Sequence, residues 1–179
     1  MEDRRYCFLD IDGVVNTLMI YNEPCGGRGS VNRDGYYFEL CYPEDKRVSN
    51  TQAMTWVSKL CTDYDLSIVI TSTWALGKTK EELAECLYNS GLKREVEVID
   101  TVPKNMQYNR GWQIEAWFNE KGLDPDKVVK VILDDDSDMV GFTRDFRKYL
   151  VKCQGDVGFR HSDYVFATTI LDEQLERLS

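Results

Sequence analysis

Three short apolar runs set the frame of this chain. Tyr6-Cys7-Phe8-Leu9, Leu66-Ser67-Ile68-Val69-Ile70 and Val128-Val129-Lys130-Val131-Ile132-Leu133 each stop abruptly at polar residues. Short runs without helical periodicity, bounded by turn residues, predict buried strands. Between them the apolar positions recur every three or four residues. Ala53, Met54, Trp56, Val57, Leu60 and Cys61 predict a helix through about residue 64, with Ser49 or Asn50 as its cap. Thr79 and Glu82 have capping-box spacing for a helix over 79–89, with Gly91 as its stop. Ile114, Trp117 and Phe118 fall on one face of a helix over 111–121, closed by Gly122. Residues 96–99 read as a short strand, 145–150 as a short helix or loop, 150–153 as a further strand and 163–178 as a terminal helix.

Strands alternating with helices predict an α/β fold with a doubly wound, mainly parallel sheet. The length of 179 residues fits one domain over 1–179. Residues 17–48 change the texture. Glycines, the turn signal Asn32-Arg33-Asp34-Gly35, the aromatic run Tyr36-Tyr37-Phe38 and the break at Pro43-Glu44-Asp45 predict a small flap or hairpin inserted after the first strand.

Composition narrows the function. A formal charge of −9 argues against an extended duplex nucleic-acid footprint, although a local basic pocket is compatible with it. The six cysteines include no CxxC pair, and there is one histidine, so a zinc site is not expected. Met1 runs into Glu2-Asp3-Arg4-Arg5 without an apolar signal region, and no apolar run approaches the ~20 residues that span a bilayer. The expectation is a cytoplasmic protein with reduced thiols and no membrane partner; oligomeric state is left open.

The chemistry gathers at the strand ends: Asp10 and Asp12 after the first run, Thr71 and Ser72 after the second, and Asp134, Asp135 and Asp138 after the third. In an open parallel sheet ligands bind beyond the carboxyl ends of the strands, so clusters distant in sequence converge. Crowded carboxylates repel unless a cation or protons neutralise them, and hard oxygen donors favour Mg2+ over zinc. A strand-end hydroxyl can donate to a phosphate oxygen. Lys104 and Arg110, before and at the start of the 111–121 helix, can bring positive charge to a phosphoryl group. These are the ingredients of phosphoryl transfer through a carboxylate nucleophile.

The motifs themselves resemble those of the haloacid dehalogenase (HAD) superfamily. Phe8-Leu9-Asp10-Ile11-Asp12-Gly13-Val14-Val15-Asn16 resembles its first motif, Val69-Ile70-Thr71-Ser72 its second, and Val131-Ile132-Leu133-Asp134-Asp135 with Asp138 its fourth. Thr71-Ser72-Thr73-Trp74, Arg110-Gly111 with Ile114 and Trp117, and Leu133-Asp134-Asp135-Asp136 look like the HAD-like domains of RNA-repair and phage proteins. The resemblance implies a Rossmann-like core and a Mg2+-dependent phosphatase. It makes Asp10 the nucleophile and a metal ligand. Asp12 becomes the general acid/base, its carbonyl also facing the metal, and Thr71 the holder of a phosphoryl oxygen. Asp135 is implied as the third metal ligand, with Asp134 its rival and Asp138 supporting. Lys104 and Arg110 compete for the third-motif position, the helix start favouring Arg110.

The flap lies where such proteins carry a cap and looks too small to close the site, which by resemblance suits bulky phosphorylated substrates such as nucleotides or nucleic-acid ends. Arg28, Arg33, Lys46 and Arg47 can meet an anion, or form a solvated loop. A phosphotransferase using the same residues, or a non-catalytic cation- or partner-binding module, are the alternatives. Asp136 and His161 read as exposed turn residues. Trp56, Trp112, Trp117 and Tyr88 read as packing, and Trp74 as core or as part of the site's mouth.

Overall fold

The computed structural model describes residues 4–17, 30–31, 37–38, 50–103 and 109–179. Strand β1 (Arg5–Leu9) lies at the centre of a five-stranded sheet, and from Tyr6 onward it is buried. It pairs in parallel with β4 (Leu66–Ile70) on one side and β6 (Val129–Asp134) on the other. Beyond these lie β5 (Val98–Thr101) and β7 (Leu150–Lys152), giving the order β5-β4-β1-β6-β7 with every pairing parallel. Strands buried on both faces read as near-continuous apolar runs, which is why β1, β4 and β6 stand out most clearly in the sequence. A separate antiparallel pair, β2 (Ser30–Val31) with β3 (Tyr37–Phe38), falls within the insertion and has the ladder of a hairpin. The rest of 18–49, with its turn and its basic residues Arg28, Arg33, Lys46 and Arg47, lies outside the described residues.

Helices cover both faces, and strand alternation decides which covers which. Tyr6 and Phe8 point one way, Cys7 and Leu9 the other. Trp117 and Phe118 of α3 (Arg110–Lys121) pack against Tyr6 and Phe8, edge-on for Tyr6–Trp117 at a centroid separation of 5.2 Å and tilted for Phe8–Phe118 at 5.3 Å. Cys61 of α1 (Thr51–Tyr64) meets Cys7 on the opposite face, where α1 also packs on α4 (His161–Leu178). Helix α2 (Lys80–Asn89) contacts β5 and carries the Thr79/Glu82 capping box.

Two starts among the strands and α-helices differ by two residues from the sequence pattern. Strand β5 begins at Val98, not residue 96, because Val96 is buried in a turn: its N–H donates to Lys93 and its carbonyl accepts from the Tyr88 hydroxyl. Apolarity reported burial there, not ladder pairing. Helix α4 begins at His161. Asp163, which looks like a starting residue, is its third, and its carboxylate accepts from the Arg160 N–H. Among the described residues no helix is long and apolar enough to cross a membrane.

Register positions the site. Leu9 is level with Ile70 on one side and Leu133 on the other. The next residue of each chain segment is therefore Asp10, Thr71 or Asp134. With neighbouring strands ~4.8 Å apart, three polar side chains emerge in one row at the carboxyl edge of the sheet. The chain runs from β1 outward to β4 and β5, then crosses back to β6 and β7 on the other side of β1, so this row also sits where the winding reverses.

Candidate active site

Asp10 is buried, and its backbone N–H donates to Leu133 at 3.0 Å. Burial raises its affinity for a proton. The charge of Arg110, the N–H of Ile11 and the hydroxyl of Ser72 pull the other way and favour the carboxylate. The chain then curls tightly, with Val14, Val15 and Asn16 N–H groups all converging on the Ile11 carbonyl. The curl turns Asp12 outward. Both of its carboxylate oxygens are engaged: Oδ1 accepts from Asn16 Nδ2 at 2.7 Å, and Oδ2 from the Trp74 indole N–H at 2.9 Å.

After β4 the chain passes through a single 3-10 turn, Thr73–Ala75, capped by the Ser72 side chain, which accepts from Trp74 N–H. Thr71 is buried beside Asp10, yet its Oγ1 has no hydrogen-bond partner among the described residues. A buried hydroxyl without a partner is costly in a folded protein and asks for a ligand to satisfy it.

At the end of β6, Asp134 is completely buried. Its Oδ1 accepts from Asp136 N–H and its Oδ2 from Arg110 Nε, both at 2.9 Å. The same guanidinium places Nη2 3.4 Å from Asp10 Oδ2, bridging two strand ends. Arg110 can do this because its helix start lies hard against the loop after β6: Gly111 N–H donates to Asp138, and a Cβ on Gly111 would strike the Met139 backbone at 2.4 Å. Asp135 is exposed as a residue, but its carboxylate is sunk between Gly13 and Gly155. A Cβ at those positions would lie 2.2 Å and 2.7 Å from its Oδ2.

Asp10, Asp134 and Asp135 each offer an oxygen, all within 4.8 Å of one another. Burial, and then the charge of Asp10, push Asp134 up to about 7. Burial raises Asp135 as well. Three carboxyls that all resist ionisation together form a cluster that needs positive charge beyond Arg110. An all-oxygen donor set of this kind fits a hard divalent cation.

The structure therefore gathers Asp10, Asp12, Thr71, Arg110, Asp134 and Asp135 at one edge. Asp138 is exposed and stands apart from the carboxylate cluster, where its contribution is the carbonyl that receives Gly111. Lys104 lies outside the described residues. Asp136 is an exposed loop acid whose carboxylate accepts from Ser137 N–H. Trp112 departs from the packing expectation: it is half-buried and stacks at 3.7 Å on Phe142, which is 63% exposed. Sequence reasoning missed Ser72 as a partner of Asp10, Trp74 and Asn16 as partners of Asp12, and Gly155 beside Asp135. Asn16 and Trp74 sat inside quoted motifs, whereas Gly155 carried no signal.

A five-stranded parallel sheet of this order, with acids and a hydroxyl at three adjoining strand ends, defines a HAD-like core. Residues 6–164 match the family model of the HAD domain in Swiss Army Knife RNA repair proteins, and the chain belongs to that family. Neither the curated proteins nor the solved structures gave a match.

Proposed function

We propose that this protein is a Mg2+-dependent phosphomonoester hydrolase working through a phosphoaspartyl intermediate at Asp10. The observation that carries the reading is the unpartnered Thr71 Oγ1, buried level with Asp10 and across β1 from Asp134. A phosphoryl oxygen accepting from that hydroxyl would lie beside the Asp10 carboxylate, and Arg110 would face its charge. Asp10 and Asp135 would hold the cation, with the Asp12 carbonyl. Asp134 already has one oxygen on Arg110 and the other on a backbone N–H, so it anchors the arginine as its main task and the ion with what remains. Bound there, magnesium supplies charge neutralisation for the phosphoryl group and keeps the carboxylates ionised.

In the first half-reaction an Asp10 oxygen attacks phosphorus, the bond to the leaving oxygen breaks, and Asp12 gives that oxygen its proton. In the second, Asp12 takes a proton from water, the hydroxyl attacks the phosphoaspartate at phosphorus, and the bond to Asp10 breaks to release phosphate. Arg110 also carries the third-motif role, because it touches both Asp10 and Asp134. The family's place among RNA repair proteins supports nucleotides or nucleic-acid ends as the phosphorylated substrate.

The test is Asp10→Asn, assayed with magnesium on p-nitrophenyl phosphate and on oligonucleotides phosphorylated at either end. Turnover is expected to fall below detection while the fold persists, since the swap is isosteric. Undiminished turnover refutes the mechanism.

A further inference from the structure

We infer that Trp74 is a positioning residue for the reaction: its indole N–H holds the Asp12 carboxylate in the one orientation from which it can protonate a leaving group. The inference rests on the phosphatase reading above and adds a residue to it. Asp12 is exposed, three residues beyond the end of β1, and an aspartate there is free to rotate unless something fixes it. Two donors do so, one on each oxygen: Asn16 Nδ2 at 2.7 Å and Trp74 Nε1 at 2.9 Å. Asn16 belongs to the same curl as Asp12 and moves with it. Trp74 comes from a different strand end, 62 residues away, and is anchored against the hydrophobic core. Among the described residues it ties the acid to a second strand end.

The chemistry of the donor suits the task. An indole N–H donates and never accepts, so it orients a carboxylate without competing for the proton that Asp12 must deliver and recover. A hydroxyl or an imidazole in its place could take part in the transfer and short-circuit it. The same 3-10 turn is capped by Ser72, whose hydroxyl favours the ionised form of Asp10. Three consecutive functions therefore leave one short segment: Thr71 faces the substrate side, Ser72 steadies the nucleophile, and Trp74 steadies the acid. The ring of Trp74 also has Lys78 Nζ 5.3 Å from its centroid, which helps fix the plane of the indole.

The test exploits leaving groups. p-Nitrophenolate departs without a proton, whereas the alkoxide of a phosphorylated oligonucleotide end needs one. Trp74→Phe is expected to slow the first half-reaction, read as the pre-steady-state burst of leaving group, about 10- to 100-fold on the oligonucleotide and by less than about twofold on p-nitrophenyl phosphate, whereas the second half-reaction, which uses Asp12 as base, slows on both. In an Asp12→Asn background the same substitution should cost nothing further on the oligonucleotide. Equal losses of the burst rate on the two substrates, or a full additional loss beside Asp12→Asn, would overturn the role. A second readout needs no turnover: the Trp74 indole N–H resonance, assigned through Trp74→Phe, should shift on Asp12→Asn. A resonance that stays put sinks the clamp itself. A shifted resonance in a protein that hydrolyses neither substrate instead counts against the phosphatase reading.

Discussion

Without magnesium, this protein should lose stability as the pH rises from about 5 to about 7, and magnesium should cancel most of that loss. The carboxyl of Asp134 moves from 3.8 up to about 7, through burial first and the Asp10 charge second, and Asp10 and Asp135 are also raised. The folded site thus binds protons more tightly than the unfolded chain. Its stabilising contribution is complete below the unfolded value and disappears as pH rises through the folded one. Groups shifted the other way fall outside this window. Asp63, Glu81, Asp100 and Asp145 are lowered, so their contributions are already in place at about pH 5. Lys130, fully buried in β6 with its amine over the Tyr149 ring, is pulled down by burial to about 7. The unfolded chain keeps a proton there that the folded one drops, so stability gained at Lys130 grows only above about pH 7.

The size follows from one proton shared by the coupled pair. At 1.36 kcal/mol per pH unit, roughly two units of pH give ~2–3 kcal/mol. In a chain of 179 residues that corresponds to a fall in Tm of roughly 5–10 °C. Magnesium at ~100 times its Kd returns ~2.7 kcal/mol. Thermal melts followed by circular dichroism, in chelator and in magnesium across that range, measure both. Lys130→Met should leave the acid-side slope intact, which isolates it as the site's own. A melting temperature that is flat or rising in chelator, or one that magnesium does not move, would refute the claim that these carboxyls crowd each other.

Two further substitutions probe single contacts. Thr71→Val removes a buried hydroxyl that has no partner among the described residues, so stability should hold or rise slightly. The kcat/KM on phosphate esters should fall about 10- to 100-fold, read by steady-state kinetics. Gly155→Ala puts a methyl 2.7 Å from Asp135 Oδ2 and should raise the magnesium concentration needed for half-maximal activity several-fold, with Tm nearly unchanged in chelator, because the atom displaced is the end of a side chain and not backbone.

Much of the site was legible because it is built on strand ends. An apolar run that stops at Asp10, another at Thr71 and a third at Asp134 already imply a shared edge once the strands are taken as parallel, and the level register of Leu9, Ile70 and Leu133 supplies the rest. What stayed hidden depends on the direction a side chain takes after a turn. Trp74 reads as core or as part of the site's mouth, and nothing in the spacing says that its N–H reaches Asp12. Arg110 could be placed near the site by its helix start, but its choice of Asp134 as partner follows from the close fit of Gly111 on the Met139 backbone. Asp138 has the same residue type and the same loop as Asp135, and differs only in where the turn leaves it.

The paired aspartates after β6 show how the site separates two demands that conflict. A group that anchors an arginine should be buried and fully hydrogen-bonded, so that the guanidinium has one position. A metal ligand should keep an oxygen open toward the ion. Asp134 meets the first demand, at 0% exposure with both oxygens engaged. Asp135, one residue further and beyond the strand, brings an oxygen to the same cluster, where its carboxylate has room only because Gly13 and Gly155 have no side chains there. Burial and the Asp10 charge hold Asp134 up to about 7, so at neutral pH it is partly protonated, and a cation joining the cluster should strengthen the arginine anchor. Ion binding and the setting of Arg110 are then coupled: magnesium should order the guanidinium against Asp134 and Asp10, and removal of the ion should loosen it.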